Sequence, residues 1–239
     1  MIPKIIHFCW LSNDPYPESI QKCIDSWKQN LPDYEIRKWD FNRFPRESSE
    51  WVCQAFDNRK YAFAADYIRL YALYNYGGIY LDSDVEVVKN FDELLSLPYF
   101  LGKENSIYGI EAAVIGVEKG MPWIKDCLDY YTNRSFVLGA GKFDTTPLPK
   151  IMLDILSSKY IIQDIDAIEE FVDDNKIINR FPVDWFSPKC WDTGILTVTE
   201  NTKSIHHFSG TWKKNKGFLE RIRDAIVLLK YHVKRMIRG

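Results

Sequence analysis

From Asn58 to Tyr76 the chain reads as one helix that is apolar on almost every side, and it leads directly into Gly77-Gly78. A helix of that kind cannot face water, so other layers must cover it on several sides. The glycines stop the helix, since glycine readily supplies the left-handed conformation at a helix C-terminus. The apolar run Ile79-Tyr80-Leu81 then ends on Asp82-Ser83-Asp84. Ionised aspartates beside a core are costly unless something cationic sits near them. If the strand continues extended, Asp82 and Asp84 project to one side and face one ligand. Paired hard oxygen ligands suit Mg²⁺ or Mn²⁺, whereas a bare strand-to-turn exit also favours Asp for its turn chemistry. Within the buried helix, Asp66 and Arg69 are three apart and share a face. A helix ion pair is the plain reading, but buried charges repay their desolvation poorly, and that favours a site.

The flanking chain supplies the layers. Ile5 to Leu11 is a nearly continuous apolar run, as in a buried parallel strand, and Glu18 to Asn30 carries apolar residues at helical spacing (Ile20, Cys23, Ile24, Trp27). Tyr34 to Trp39 alternates as a second strand. Together these form a β-α-β unit and predict the start of a parallel sheet. Residues 41–57 read as loop plus a short helix, and 91–95 as another short helix. Strands are expected at Tyr99–Gly102 and Ala112–Val117, and helices at Pro122–Tyr131 and within 143–158. Residues 181–188, rich in Pro and aromatics, are expected as an ordered surface loop. No linker or repeat interrupts this pattern, so residues 1–216 are expected to form one α/β domain.

Composition narrows the partners. A formal net charge of −2 argues against nucleic acid as a bulk partner. Aromatic residues make up 15%, including eight Trp and fourteen Tyr, and such rings often line sites for sugars or bases as well as cores. The five cysteines are scattered with no Cys-x-x-Cys pair, and read as small buried hydrophobes in a reducing compartment. No signal-peptide pattern or spanning helix is evident, so a cytoplasmic protein is expected. Residues 217–239 differ from the rest: Phe218, Ile222, Ile226, Leu229 and Val233 fall on one stripe of a basic amphipathic helix. Such a helix lies on an anionic membrane face or packs its stripe on the domain.

A second dense cluster is His206-His207-Phe208-Ser209-Gly210-Thr211-Trp212. Adjacent histidines on a strand point to opposite faces, so at most one meets a given metal. Taken in order, the stretches Ile2 to Trp10, Tyr61 to Tyr71, Gly77 to Asp84 and His206 to Trp212 resemble glycosyltransferase family 32, which has a DXD motif. The resemblance covers nearly the whole chain and implies a GT-A fold, a Rossmann-like α/β domain with a central, mostly parallel sheet.

The family likeness also implies roles. Asp82 and Asp84 would hold Mn²⁺ or Mg²⁺ on the diphosphate of a nucleotide-sugar, Asp84 most directly and Asp82 reaching ribose or sugar, with Ser83 between them on the donor. Asp66 would accept from sugar hydroxyls and Arg69 counter phosphate. Trp10 would stack on the base. His206 or His207, with Thr211 and Trp212, would close over the diphosphate and complete the metal shell. The implied activity is metal-dependent hexosyl transfer with retention, in surface polysaccharide (capsule) synthesis, from a UDP-sugar in preference to a GDP-sugar, to a glycan or lipid-linked acceptor. Glu111 is a candidate base or nucleophile near the acceptor. Thr211 stands where family members often carry Ser, and the middle third follows the pattern loosely. Two rivals remain. A DxD phosphohydrolase wants Thr or Val where Glu86 stands, and a non-catalytic carbohydrate-binding protein leaves the Asp66/Arg69 pair unexplained.

Overall fold

In the computed structural model, residues 1–106 and 108–209 are described, so Thr211, Trp212 and the helix expected over 217–239 lie outside the described residues. The centre is a five-stranded sheet in the order β2-β1-β3-β6-β5. Its strands are β1 (Ile5–Cys9), β2 (Glu35–Trp39), β3 (Gly78–Leu81), β5 (Tyr99–Gly102) and β6 (Glu111–Val117). β1 pairs in parallel with β2 and β3, while β6 is antiparallel to both β3 and β5. Only β6 therefore runs against the other four. This is the α/β architecture with a central, mostly parallel sheet expected from the sequence.

The pleat sends alternate residues to two cores. Ile6, Phe8, Ile79, Leu81 and Phe100 pack on one face with α1 (Glu18–Asn30), whose buried stripe is Ile20, Cys23, Ile24 and Trp27. Tyr80, Tyr99, Leu101 and Ile115 face the other core, beneath α2 (Glu50–Asp57), α3 (Tyr61–Tyr76), α4 (Pro122–Asp129) and α5 (Leu148–Lys159). Helices on both faces of a mostly parallel sheet are the expected packing for such strands. α3 ends at Gly77 with φ +66°. Gly78 follows at φ +99°, where an added Cβ would lie 2.7 Å from the Ile5 carbonyl oxygen. Only glycine lets β3 lie this close to β1.

Short elements complete the domain. β4 (Val85–Val87) pairs antiparallel with β11 (Ser204–His206), β7 (Val137–Gly139) with β8 (Lys142–Phe143), and β9 (Ile161–Asp164) in parallel with β10 (Ile177–Arg180). The segment 181–188 is not a surface loop. It contains α6 (Val183–Phe186), and Phe181, Phe186 and Ser187 are fully buried, Phe186 stacking on Phe100. Its aromatics belong to the core, and the prolines only shape the backbone that delivers them. No described helix is long and apolar enough to cross a membrane.

Candidate functional site

Asp82 and Asp84 come together by a turn, and the pleat of β3 has no part in it. β3 ends at Leu81, and the Val85 amide donates to the Asp82 carbonyl at 3.0 Å, closing a turn over Asp82-Ser83-Asp84-Val85. The Asp82 amide is anchored on the Ala113 carbonyl at 2.9 Å. The two carboxylates still face one cleft, as expected, but through turn geometry.

Arg69 rises from α3 beneath them. Its Nη2 donates to Asp82 Oδ1 at 2.7 Å and stands 3.4 Å from Asp66 Oδ1, while Nη1 donates to the Ala112 carbonyl. The guanidinium lies 4.4 Å from the centre of the Tyr80 ring. One buried cation thus offsets a buried carboxylate, Asp66, and a partly exposed one, Asp82. Burial raises Asp66 to about 7, with Arg69 opposing and Asp82 adding to the rise. Asp82 is also raised, by burial against the pull of Arg69. With these partners both terminal nitrogens of Arg69 are occupied, so it sets the charge of the site more than it reaches outward.

The β4–β11 ladder brings in the histidines. His206 pairs with Val85, one residue beyond Asp84. The His207 amide donates to the Asp84 carbonyl at 3.0 Å, and the Ser209 amide donates to Asp84 Oδ2 at 2.7 Å. His206 Nε2 lies 3.6 Å from Asp84 Oδ1, and its Nδ1 lies 3.7 Å from Glu111 Oε1. His207 turns to the other side, its Nε2 2.8 Å from Glu86 Oε2. Of the two histidines proposed for metal, His206 is the one that joins the Asp82 and Asp84 carboxylates. Strand alternation sends His207 away. Phe208 takes φ +54°, uncommon for a bulky residue, and its ring lies 3.9 Å from that of His206.

These groups border a cleft of about 700 Å³, whose walls include Trp10, Arg59, Arg69, Asp82, Ser83 and His206. Trp10 sits at its edge, donating from Nε1 to the Asp14 carbonyl and meeting Tyr16 edge-on at 5.0 Å. Asp66 and Arg69 lie below the floor, with Arg69 reaching it.

Glu111 is not placed as a base or nucleophile. It is 1% exposed, does not border the cleft, and accepts from the Ala113 amide at 2.6 Å. Glu104 borders the cleft instead, in the β5–β6 connection, and burial beside Glu111 raises it to about 7. Neither Glu104 nor Arg59 was marked by the sequence, because each stands in a loop without a motif. The one local signal at Arg59 is its left-handed backbone, φ +56°, which only coordinates reveal.

Asp82, Asp84 and His206 offer ligand atoms within 4.8 Å of one another, and Glu104, Glu111 and His206 form an adjoining group that shares the histidine. Two carboxylates and an imidazole are a donor set that Mn²⁺ or Mg²⁺ accepts. Burial alone would strip His206 of its proton, but Glu111, Asp84 and Asp82 outweigh it and raise the ring to about 9. The surroundings therefore demand positive charge at this point. The residues fit a divalent cation.

Residues 17–101 match the family model described as a glycosyltransferase sugar-binding region containing a DXD motif. Inositol phosphoceramide mannosyltransferase 3 of Schizosaccharomyces pombe is 37% identical over 131 residues, which cover 52% of this chain and 35% of that protein. Mannosyl phosphorylinositol ceramide synthase SUR1 of Saccharomyces cerevisiae is 36% identical over 123 residues, covering 48% and 31%. The matched segment thus spans about a third of the length of these curated relatives. Among solved structures, the PaToxG glycosyltransferase aligns with a TM-score of 0.49 and 24% identity over 66% of this chain and 68% of that one. The family match takes in Arg69, Asp82 and Asp84, and the likeness in sequence to that family model and to the two yeast enzymes supports an enzyme of the glycosyltransferase kind.

Proposed function

We propose that the protein is a metal-dependent glycosyltransferase that moves a hexose from a nucleotide-sugar to a glycan or lipid-linked acceptor. The observation that carries this reading is the convergence of Asp82, Asp84 and His206 on one cleft, above a buried Arg69, within the segment matched to a DXD sugar-binding region. Asp82, Asp84 and His206 would hold Mn²⁺ or Mg²⁺, which when bound offsets charge on the donor diphosphate. Cleavage of the anomeric C–O bond leaves negative charge on the departing nucleoside diphosphate. Arg59, exposed on the cleft wall, is placed to meet that charge, and Arg69 keeps the nearby carboxylates from opposing it. Trp10 at the cleft edge offers a face for the base. Ser83 serves the donor from the turn and Asp66 from below the floor through Arg69, and the family likeness assigns Thr211 and Trp212 to the diphosphate.

The two yeast relatives are named for mannosyl transfer to phosphoinositol ceramides, which favours a lipid-linked acceptor over a capsular polymer. The donor is a UDP-sugar ahead of a GDP-sugar, and transfer retains configuration. A cytoplasmic enzyme held on the inner membrane face by the basic sequence of 217–239 suits a lipid acceptor. Turnover of radiolabelled UDP- and GDP-sugars, with and without Mn²⁺, tests the reading. Metal-dependent release of nucleoside diphosphate supports it. Metal-independent hydrolysis of simple phosphate esters would instead indicate a phosphohydrolase, and sugar binding with no turnover a lectin. Removing residues 217–239 should cut binding to anionic liposomes while leaving solution turnover; equal binding would return the tail to a packing role.

A further inference from the structure

Behind the cleft, against the inner edge of His206, lies Glu111, a buried carboxylate that the donor chemistry just described leaves unused. Glu111 sits at the first position of β6, 1% exposed, and its Oε1 takes the Ala113 amide at 2.6 Å. Among the described residues its Oε2 and His206 Nδ1 make no close hydrogen bond, and the buried Ser187 hydroxyl lies beside Glu111. His206 therefore stands between two carboxylates on opposite ring nitrogens: Nε2 is 3.6 Å from Asp84 and Nδ1 is 3.7 Å from Glu111. A buried carboxylate is costly unless paired, so its placement beside an imidazole that also faces Asp84 has a use.

We infer that Glu111 is a positioning residue that accepts the Nδ1–H of His206, fixing the ring so that Nε2 faces the cation held with Asp82 and Asp84. A histidine that ligates through one nitrogen commonly gives its other N–H to a carboxylate, which sets tautomer and orientation. Here the two distances are both slightly long, and a small ring movement toward the cation side or the Glu111 side closes either contact. Phe208, 3.9 Å from the imidazole, limits that movement to sliding beside its own ring. Glu111 needs no access to solvent for this role, and burial with the Ala113 amide on its Oε1 holds the carboxylate in place. The inference rests on the proposed metal-dependent reading.

The test is Mn²⁺ binding by the full chain, measured by calorimetry and by loss of the free-ion electron spin resonance signal, with thermal unfolding of each metal-free variant alongside. Glu111→Gln should weaken Mn²⁺ by about 10- to 100-fold. In a His206→Ala background the same change should add nothing, because Glu111 acts only through that ring. In the Mg²⁺-loaded protein, nitrogen NMR should show a proton on His206 Nδ1, and Glu111→Gln should move that resonance. Wild type that binds no Mn²⁺ overturns the metal reading and this inference with it. Wild-type binding with Glu111→Gln within twofold overturns the inference alone, as does an additive loss in the double variant. A matching loss in Glu104→Gln would make Glu111 a direct ligand in the adjoining group and overturn the positioning role.

Discussion

Two histidines, His7 and His206, are buried in this domain in opposite ways. His7 on β1 is fully enclosed, takes a hydrogen bond on Nδ1 from Trp39 Nε1 at 3.0 Å, and has Nε2 2.8 Å from the Gly77 carbonyl. Since Nδ1 accepts, Nε2 carries the proton and donates, and every polar atom of the ring is satisfied. His206 stands between carboxylates at 3.6 and 3.7 Å and, among the described residues, makes no close hydrogen bond through Nδ1. A satisfied buried group fastens elements to one another, here β1, β2 and the α3 C-terminus. A loosely held one among convergent carboxylates is free to turn one nitrogen to a cation. Chemistry that looks alike in sequence separates by how completely its hydrogen bonds are filled.

The contrast breaks most sharply at Asp84. Asp84→Ala should abolish transfer and metal-dependent nucleotide binding while the circular-dichroism spectrum and thermal midpoint stay near wild type. Retained turnover would show that the carboxylates of this turn are ordinary turn residues. Next is Arg69. Arg69→Leu leaves Asp66 and Asp82 without their shared counter-charge, and removing one partner of a buried ionic group costs about 3–5 kcal/mol. Urea unfolding would read this directly. A loss below about 1 kcal/mol would mean that the carboxylates shed the strain by taking protons.

Much of this contrast was visible before coordinates. The β-α-β opening, the buried α3, its glycine stop and the Asp82/Asp84 pair all follow from local pattern, because period, capping and charge act within a few residues. The His206–Glu111 pairing does not, since Glu111 and His206 meet only when β6 and β11 are placed by the sheet. The segment at 181–188 misled for the same reason: Pro and aromatics signal a surface loop locally, while Phe186 finds its partner on distant β5. Glu104 and Arg59 reach the cleft from connections whose course is set by packing at both ends.

Trp10 sharpens the comparison at the donor side. Its ring leans on Tyr16, packs against the rim of one core and borders the cleft. Trp10→Ala should weaken free UDP or GDP by about 1–3 kcal/mol, the value of stacking a base on an aromatic ring. Unchanged affinity by calorimetry would move the base elsewhere in the cleft.

The smallest effect belongs to His7 and tests the satisfied side of the comparison. Burial lowers its pKa to about 4; the Gly77 carbonyl opposes this, while Arg37 and Arg43 add to it. The unfolded chain, with an ordinary histidine near 6.5, therefore binds the proton first as pH falls. The stabilisation from neutral His7 is complete above about 6.5 and declines as pH drops toward 4. Asp66 and Glu104, raised to about 7, take protons in the folded state over the same window and pull the other way. The informative quantity is thus the difference in unfolding free energy between wild type and His7→Gln. Glutamine keeps a donor for the Gly77 carbonyl, and the variant loses the titration. That difference should shrink by about 1 kcal/mol between pH 7 and 5.5, following the proton linkage of one group. A difference that stays flat would mean that His7 is as open to protonation as any surface histidine, and the contrast with His206 would lose its physical basis.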